Sequence, residues 1–342
     1  MKADTKADIK SMTLHELEQF MEDLGEKKYR ASQIFEWLSK GAYSFEDMSN
    51  ISKELREKLK EAAFIERLVI DKLQTSQKDG TRKYLFKLKS GNSIESVFMK
   101  YHYGNSVCIS SQAGCKMACT FCASAIGGVV DNLTAAEMLD QVIAIQQDVS
   151  ERIGNVVVMG TGEPFDNYKN LSRFLELIHA GGGLNMSYRA ITVSTCGIIP
   201  GIEQIGRDYP QVNLAVSLHG PNDLIRDRLM PINRKYPIGD LLDACGAHTK
   251  ATGRRITFEY ALIKGENDSR IHAEELAKRL RHMLCHVNLI PLNPVKERDY
   301  KSVTRQSAEA FAKVLEDKGI QVTIRRDLGA DIDGACGQLR LR

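Results

Sequence analysis

From about residue 107 onward, short apolar segments alternate with segments of helical periodicity. Near-continuous apolar runs of this length are typical of strands buried on both faces of a parallel sheet, and the intervening helices would cover those faces. Right-handed crossovers permit either an open doubly wound sheet or a barrel, and about six strand–helix units favour a partial barrel. The predicted strands are SVCIS, NVVVMG, AITVST, VNLAVSLH, ITFEYALI, HVNLIPL and VTIRR, and the predicted helices lie near 134–149, 168–180, 238–251, 271–283 and 304–318.

Unusual polar clusters follow these predicted strands at the point where each one ends. GTGEP follows NVVVM, STCG closes AITV, SLHG closes NLAV and PLNP closes VNLI. A loop with three cysteines follows the first strand. Because the carboxyl ends of barrel strands surround one opening, these segments are expected to line a single cavity.

The first part of the chain has a different pattern. Residues 12–62 carry helical signals, such as the apolar steps of three and four in TLHELEQFMEDLG. Residues 68–101 alternate in the manner of strands and contain a Ser-Gly-Asn turn, which indicates a hairpin. We therefore predict an α/β protein, a partial (β/α)6 TIM-like barrel with a small N-terminal helical domain and a connecting β-hairpin, divided into residues 1–75, 76–101 and 102–342.

Charge and hydropathy exclude some classes of protein. Lys and Arg number 47 against 44 Asp and Glu, so the net charge is only +3, and any nucleic-acid surface would have to be local. The opening segment MKADTKADIKSMTLHELEQ lacks an apolar signal core, and no apolar run approaches the ~18 residues of a membrane span. We expect a cytoplasmic protein without a membrane partner, in which structural disulfides are not favoured.

Three of the eight cysteines, Cys115, Cys119 and Cys122 in GCKMACTFC, lie in one short segment. A structural zinc site takes four ligands, usually in two pairs, so zinc would need a distant fourth ligand such as His102 or His219. A four-iron cluster held by only three thiolates keeps one iron without a protein ligand, and an open iron can bind a cofactor. The spacing favours the iron–sulfur cluster and leaves zinc as the alternative.

The C-x3-C-x2-C spacing, with Phe121 before the last cysteine, resembles the signature of the radical S-adenosylmethionine (SAM) superfamily. The resemblance implies one [4Fe–4S] cluster per chain, bound through the three cysteines, with SAM on the open iron as the source of a 5′-deoxyadenosyl radical. GTGEP resembles the superfamily segment that receives the SAM ammonium group, for which a carboxylate is a suitable acceptor. The implied SAM contacts, some of which could instead only cap strands and turns, are Gly162, Glu163, Ser194, Ser217, Leu218, His219 and Asn293.

Longer stretches resemble one family within this superfamily. They are VSLHGPNDLIRDRLMPINRKYPI, RRITFEYALIKGENDS, HVNLIPLNP and TIRRDLGADIDGACGQL, and together they resemble the dual-specificity RNA methyltransferases over nearly the whole chain. The resemblance implies methylation of C2 of adenosine in 23S rRNA and in tRNA, two SAM molecules per turnover, and an electron donor such as flavodoxin or ferredoxin. Adenine C2 is an electron-poor ring carbon without a lone pair, so ordinary displacement on SAM does not methylate it.

The family resemblance also implies roles for three residues. Cys336 in DIDGACGQL would accept a methyl group from one SAM, and the carbon derived from it would then add to C2 and link RNA to the protein. Cys108 would release the RNA by forming a transient disulfide with Cys336, and Glu95 in SIESVFM would accept the C2 proton. Without the resemblance, Glu95 would be interpreted as a solvent-facing strand residue.

Two alternatives and several local features remain at this point. A sister group of resistance enzymes methylates C8 of the same adenosine, and a radical SAM activase without an RNA substrate is a second alternative.

Thr161 and Ala118 stand where the family often has Met and Gly. The local basic groups expected to contact RNA are the turn at 27–30, Arg254 with Arg255, and Arg325 with Arg326.

Overall fold

The computed structural model describes residues 6–326 and 328–339, so the first five residues of the segment searched for a signal core lie outside it. Within the described residues the helices are α1 (Leu14–Asp23), α2 (Tyr29–Ser39), α3 (Lys53–Ala62), α4 (Ala135–Val149), α5 (Tyr168–His179), α6 (Ile199–Asp208), α7 (Asp223–Leu229), α8 (Ile238–Thr252), α9 (Arg270–Leu280) and α10 (Arg305–Glu316). The strands are β1 (Ala7–Asp8), β2 (Ala63–Phe64), β3 (Val69–Thr75), β4 (Arg82–Lys87), β5 (Ser93–Tyr101), β6 (Gly104–Ile109), β7 (Gln112–Gly114), β8 (Val129–Asn132), β9 (Ile153–Val158), β10 (Ile191–Thr195), β11 (Asn213–Ser217), β12 (Ile256–Leu262), β13 (Cys285–Pro291) and β14 (Gln321–Ile324).

One large sheet organises the described part of the chain, with the strand order β14-β13-β12-β11-β10-β9-β6-β5-β4-β3. From β6 to β14 every neighbouring pair in this order is parallel. Helices follow each of these strands except the last, so six strand–helix units precede β14. This arrangement confirms the partial barrel that the alternation of strands and helices predicts.

Helix α4 illustrates why several helices begin where the sequence predicts. Thr134 is the N-cap residue, and its side chain and that of Glu137 form the reciprocal hydrogen bonds of a capping box. Helices α6 and α7 were not predicted. The first contains Pro200 and two glycines, and the second is only seven residues long, so neither has a long periodic pattern.

The predicted hairpin consists of β4 and β5, and it continues the barrel sheet with antiparallel strands. Strand β5 pairs with β6, β4 pairs with β5, and β3 adds one further strand outside β4. Residues 69–75 therefore belong to the same sheet as the barrel, although the division at residue 75 would assign them to the helical domain. The domain boundaries themselves stay a prediction.

Helices α1–α3 pack on the barrel beside α4. Lys10 forms a buried ion pair with Asp140 of α4, and its ammonium also donates to the carbonyl of Glu66 at 3.2 Å. The second oxygen of Asp140 accepts a hydrogen bond from the backbone N–H of Leu68 at 2.6 Å. Across residues 6–326 and 328–339, no helix has the length and apolar character needed to cross a membrane.

Candidate active site

A cavity of about 1090 Å³, open to solvent, lies at the carboxyl ends of the barrel strands. The loops that follow β6, β9, β10, β11, β13 and β14 all contribute to its lining. The structure therefore brings together segments that are far apart in the sequence. Ten of the residues singled out by the sequence line this cavity: Cys115, Cys119, Cys122, Gly162, Glu163, Ser194, Ser217, His219, Asn293 and Cys336.

The cysteine loop begins from a small ribbon formed by β7 and β8. Cys115 donates its backbone N–H to the carbonyl of Gly128 at 3.0 Å. A Cβ atom at Gly114 would lie 2.0 Å from the same carbonyl oxygen, so this close approach requires glycine. Ala118 has a φ of 56°, in the left-handed region, where a glycine would be less strained.

Burial keeps the three thiols protonated in the protein alone. It raises the pKa of Cys115 to about 12, and it raises the pKa of Cys119 well above its usual value, with the neighbouring thiols adding to the effect. Thiolates form there only when a cation compensates the charge, so metal binding would release protons.

The three thiols fit a multi-iron cluster with one open iron, because each thiolate of such a cluster binds a different iron. The cavity beside Cys115, Cys119 and Cys122 leaves space for the cluster and for a ligand on its open iron.

Glu163 presents a buried carboxylate that the backbone holds in place. One oxygen accepts a hydrogen bond from the backbone N–H of Cys196 at 2.7 Å, and the other accepts one from Phe165 at 3.0 Å. Burial raises the pKa of the Glu163 carboxyl, although these N–H groups oppose the shift. A carboxylate fixed in this way is suited to receive a cationic group such as an ammonium.

His219 is a neutral hydrogen-bond donor toward the cavity. Its Nδ1 accepts the backbone N–H of Ala261 at 2.9 Å, so the neutral ring carries its proton on Nε2. Burial, with a smaller contribution from Arg226, lowers the pKa of His219 to about 3. The ring meets Phe121 edge to face, with 5.0 Å between the ring centroids.

Leu218 and Arg226 form hydrogen bonds with the backbone of the segments that line the cavity. The side chain of Leu218 lies in the core, away from the cavity lining, while its N–H donates to the carbonyl of Glu259 at 2.9 Å. Arg226, which was not predicted, is buried and donates to the carbonyls of Ser217 at 2.9 Å and Cys196 at 3.1 Å. Its guanidinium therefore links the loop after β10 to the carboxyl end of β11.

Cys336 lies at the cavity on a segment held by several contacts. Its Sγ accepts a hydrogen bond from Nη1 of Arg325 at 2.9 Å, and its carbonyl accepts one from Nδ2 of Asn293 at 3.4 Å. The carbonyl of Gly337 accepts the backbone N–H of Ala123, directly after the cysteine loop, at 2.9 Å. The methyl-acceptor candidate is thus attached to the loop that carries the three clustered thiols.

Arg325 and Glu259 are cavity residues that the sequence interpretation missed. Arg325 was expected to contact RNA, but its guanidinium points into the cavity and interacts electrostatically with Cys336 and Glu259. Glu259 is buried and accepts a hydrogen bond from Asn288 at 2.8 Å. A charged residue inside the apolar strand ITFEYALI was a signal that could have identified Glu259.

The basic pair Arg254–Arg255 does not lie near the cavity. Both residues directly precede β12, so they lie at the amino ends of the parallel strands, opposite the opening. They are therefore remote from the cavity, and the expectation that they contact RNA stays a prediction. Arg326 and the turn at 27–30 remain as basic groups with exposed members.

Cys108 lies near the C-terminal segment without lining the cavity. It is buried on β6 and shares a small apolar cluster with Leu339. Burial and the adjacent Cys336 both raise the pKa of the Cys108 thiol, while Arg325 opposes the shift. The two thiols are therefore near neighbours, and both are free in this structure.

Glu95 lies in a neighbouring cavity rather than in the main one. It is fully buried, and its Oε1 is 3.3 Å from Nζ of Lys83, so the solvent-facing interpretation is wrong. The second cavity has a volume of about 370 Å³. Ala123 and Gln338 line it too, and their chain neighbours Cys122 and Gly337 line the main cavity, so the two cavities are adjacent.

Family models match two parts of the chain. A model described as the ribosomal RNA large subunit methyltransferase N-terminal domain matches residues 7–65. The radical SAM superfamily model matches residues 109–279, the range that carries the cysteine loop and the strand-end residues up to His219.

The chain is also similar to known proteins over almost its whole length. The chain is 53% identical over 334 residues to a probable dual-specificity RNA methyltransferase RlmN from Lachnospira eligens, covering 97% of this chain and 95% of that one. It is 52% identical to a protein of the same description from Clostridium novyi, covering 97% of both chains. A crystal structure of a radical SAM methyltransferase from Sphaerobacter thermophilus superimposes with a TM-score of 0.95 at 42% identity, covering 98% of this chain and all of the other.

Proposed function

Because the chain belongs to the RlmN family of dual-specificity RNA methyltransferases, we propose that it methylates C2 of adenosine in 23S rRNA and in tRNA. The single observation that carries this proposal is the position of Cys336. Its sulfur lines the cavity formed by the three clustered cysteines and accepts a hydrogen bond from Arg325. A radical enzyme that needed no methyl acceptor would have no use for this thiol there.

The cofactor site is assigned to residues of the main cavity. Cys115, Cys119 and Cys122 would hold a [4Fe–4S] cluster, which when bound supplies the electron that converts SAM to methionine and a 5′-deoxyadenosyl radical. Glu163 would receive the ammonium group of SAM through its fixed carboxylate. Further SAM contacts are assigned to Gly162, Ser194, Ser217, the backbone of Leu218, His219 and Asn293.

The chain's own first chemical task is methyl acceptance by Cys336. Its sulfur, once the thiol proton has passed to solvent, would attack the methyl carbon of one SAM, so that the carbon–sulfonium bond breaks and S-adenosylhomocysteine leaves with the bonding electron pair. The Arg325 guanidinium, 2.9 Å from this sulfur, orients the nucleophile. A hydrogen atom of the new S-methyl group would then be removed by the radical made from a second SAM, and the resulting carbon would bond to C2. To restore the aromatic ring, the adduct would lose the C2 proton and one electron, which a one-electron carrier such as the proposed flavodoxin or ferredoxin would accept.

Release of the methylated RNA is assigned to Cys108 and Glu95. Cys108, as a thiolate, attacks the sulfur of Cys336, and a disulfide forms as the bond from that sulfur to the RNA-linked carbon breaks. The carbon keeps the electron pair of the broken bond and takes a proton, which completes the methyl group. A dithiol reductant would then return the disulfide to two thiols for the next turnover. The proximity of the two thiols supports this role. Glu95 is proposed to take the C2 proton. The support for this role is its burial beside Lys83 and the family resemblance, and its place in the second cavity means that the base must reach both cavities.

The proposed partners follow from this chemistry. The RNA substrates are 23S rRNA and tRNA, and the target base must leave its stack to enter the cavity. Each turnover also requires an electron donor, for which a flavodoxin or ferredoxin is proposed. A cytoplasmic location is proposed because both RNA classes are found there.

The experiment compares the wild-type protein with Cys336→Ala after anaerobic cluster reconstitution. Wild type with dithionite, SAM and either RNA should yield 2-methyladenosine by nucleoside mass spectrometry. Cys336→Ala should still form 5′-deoxyadenosine but no methylated RNA. Cys285→Ala is the matched control, because Cys285 begins β13 at the opposite end of the barrel and should retain both activities.

Three results would contradict the proposal. Methylation by Cys336→Ala at the wild-type rate would remove Cys336 from the reaction. 8-Methyladenosine as the product would assign the chain to the C8 reaction. Formation of 5′-deoxyadenosine without any RNA product from wild type would favour an activase.

A further inference from the structure

The turn between β3 and β4 contacts the segment that carries Cys336. The carboxylate of Asp331 accepts hydrogen bonds from Oγ of Ser76 at 2.7 Å and from the backbone N–H of Gln77 at 3.2 Å. In the opposite direction, the carboxylate of Asp79 accepts the backbone N–H of Gly329 at 2.9 Å. Each partner thus supplies one carboxylate to the other, across about 250 residues of sequence.

These contacts are specific to the local backbone shape. Gly329 has a φ of 64°, and a Cβ atom there would lie 2.8 Å from Cγ2 of Thr81, which is itself buried in the turn. The side chain of Asp79 also accepts the N–H of Thr81 at 2.9 Å, so the turn is shaped by the same carboxylate that binds the segment. We call residues 76–81 the acceptor clamp.

The segment is attached again beyond Cys336. Oγ of Ser124 donates to the carbonyl of Leu339 at 3.0 Å, and Nε2 of Gln338 donates to the carbonyl of Pro294 at 3.1 Å. Cys336 therefore lies between two attachments, one to the acceptor clamp and one to the cysteine loop and its surroundings. The position of its sulfur depends on both.

Lys83, two residues after the clamp, connects it to Glu95. Its ammonium lies 3.3 Å from Oε1 of Glu95 and 3.4 Å from the carbonyl oxygen of Asp333, and the side chain is buried. One cation thus touches both the assigned proton acceptor and the segment of the assigned methyl acceptor. The hairpin, through Lys83, therefore fixes the position of Glu95 relative to the segment that carries Cys336.

We propose that the acceptor clamp is a positioning element for methyl transfer, which holds Cys336 in line with its methyl donor. The inference rests on the proposed role of Cys336. Displacement at a methyl carbon requires the nucleophile to approach opposite the leaving group at close range, so a segment attached at one end only would reach this geometry less often. Cleavage of SAM at the cluster makes no such demand on the C-terminal segment.

The test is Asp331→Ala in the full-length, cluster-loaded protein. Asp331 is exposed, and its side-chain contacts in the structure are with Ser76 and Gln77, so its removal should leave the barrel folded. The rate at which Cys336 becomes S-methylated, measured by peptide mass spectrometry, should fall by about tenfold or more, because the change removes two hydrogen bonds to a charged group. Formation of 5′-deoxyadenosine should be unchanged. Asp331→Asn, which keeps one acceptor oxygen, should recover part of the rate.

Controls separate positioning from general damage and from failure of the proposed function. Asp71→Ala, an exposed change on β3 of the same hairpin, should behave as wild type in both assays. The cluster-free protein gives a second readout: iodoacetamide should label Cys336 faster in Asp331→Ala, because the segment is released.

Three outcomes would overturn the positioning role. Wild-type methylation of Cys336 by Asp331→Ala is one, and an equal loss of S-methylation and of 5′-deoxyadenosine is another. Absence of S-methylation in wild type would refute the proposed function itself, and the inference with it.

Discussion

His219 combines three properties that are costly for a surface histidine but useful beside a cavity. It has a φ of 52°, it is buried, and its Nδ1 is committed to the backbone N–H of Ala261. The low pKa of about 3 means that the ring stays neutral and keeps a donor on Nε2 at every working pH. This buried neutral ring also makes the stability of the fold depend on pH.

We predict that His219→Asn reduces the acid sensitivity of the apo-protein. The folded-state pKa of about 3 lies below the unfolded value of about 6.5, so the unfolded chain binds the proton first and stability falls as pH drops through 6.5. Between pH 7 and pH 5 this group alone removes about 2 kcal/mol from the free energy of unfolding. Asparagine tolerates positive φ and retains an acceptor near Nδ1. Urea unfolding at the two pH values should show a loss smaller by about this amount in the variant.

The comparison concerns the change between the two pH values, so a constant loss of stability in the variant does not affect it. An equal pH dependence in wild type and His219→Asn would show that the ring is protonated in the folded state near its ordinary pKa, against the geometry of its hydrogen bond to Ala261.

Single residues with distinctive chemistry could be identified from the sequence. The three clustered cysteines and the GTGEP carboxylate have spacings that few other functions use, and all of them line the cavity. The place of Arg325 in the cavity was not predicted, because sequence shows a positive charge but not the direction of its side chain. Glu95 was recognised only through the family resemblance, since alternation along a strand does not show whether a further strand and a C-terminal segment cover it.

At the scale of elements, capping residues and apolar periodicity in the sequence predict most helices. The sequence does not show which distant elements contact one another. Thr134 and Glu137 marked the start of α4 because both ends of a capping box are local in sequence. Residues 69–75 lie within the range predicted as strand. The contacts of the turn after β3 with residues 329–333 could not be predicted, because they join segments about 250 residues apart. The same limit applies to the interface between the N-terminal helical unit and α4, which is formed by the ion pair of Lys10 with Asp140 and the hydrogen bond of Leu68 to Asp140.

We predict that Lys10→Met strongly destabilises the packing of the N-terminal helical unit against α4 and so lowers the free energy of unfolding. Lys10 and Asp140 are both buried, and burial raises the pKa of Asp140 although Lys10 opposes the shift. Breaking a buried ion pair by removing one partner typically costs about 3–5 kcal/mol. Urea unfolding at pH 7 should show a loss of this order, reduced somewhat because the N–H of Leu68 still binds Asp140.

Lys100→Met is the matched control for this prediction. Lys100 pairs with Glu151 at 2.7 Å, but both side chains are exposed and screened by solvent, so the expected loss is much smaller than for Lys10→Met. The double variant Lys10→Met/Asp140→Leu should recover part of the stability, because it removes both buried charges. Equal losses in Lys10→Met and Lys100→Met would argue that the buried pair does not hold the interface between the N-terminal helical unit and α4.

At the scale of the whole molecule, the N-terminal helices cannot be removed cleanly at residue 75. Such a deletion would take away β3, leave the turn at 76–81 without the strand that precedes it, and leave Asp140 without Lys10. Its effect on RNA methylation would therefore mix loss of RNA contacts with damage to the barrel and to the acceptor clamp. The role of these helices in RNA binding is better tested by changing surface charge.

The turn between α1 and α2 offers that test, because Lys27 and Lys28 are exposed and the Arg30 guanidinium lies 4.9 Å from the ring of the exposed Tyr29. We predict that the triple change Lys27→Glu, Lys28→Glu and Arg30→Glu weakens RNA binding and lowers its salt dependence. Each lost phosphate contact should reduce the slope of log affinity against log salt by about 0.7–0.9. Filter binding between low and physiological salt measures this slope, and formation of 5′-deoxyadenosine without RNA should not change.

The matched control reverses three exposed basic residues of and beside α10, on the outer face of the barrel: Arg305, Lys313 and Lys318. It changes the net charge by the same amount, so a general electrostatic effect would appear in both variants. A smaller salt slope only in the α1–α2 variant would assign phosphate contacts to that turn. Equal slopes in the two variants would contradict the prediction, since RNA would then respond to the overall charge of the protein and not to a local surface on the N-terminal helices.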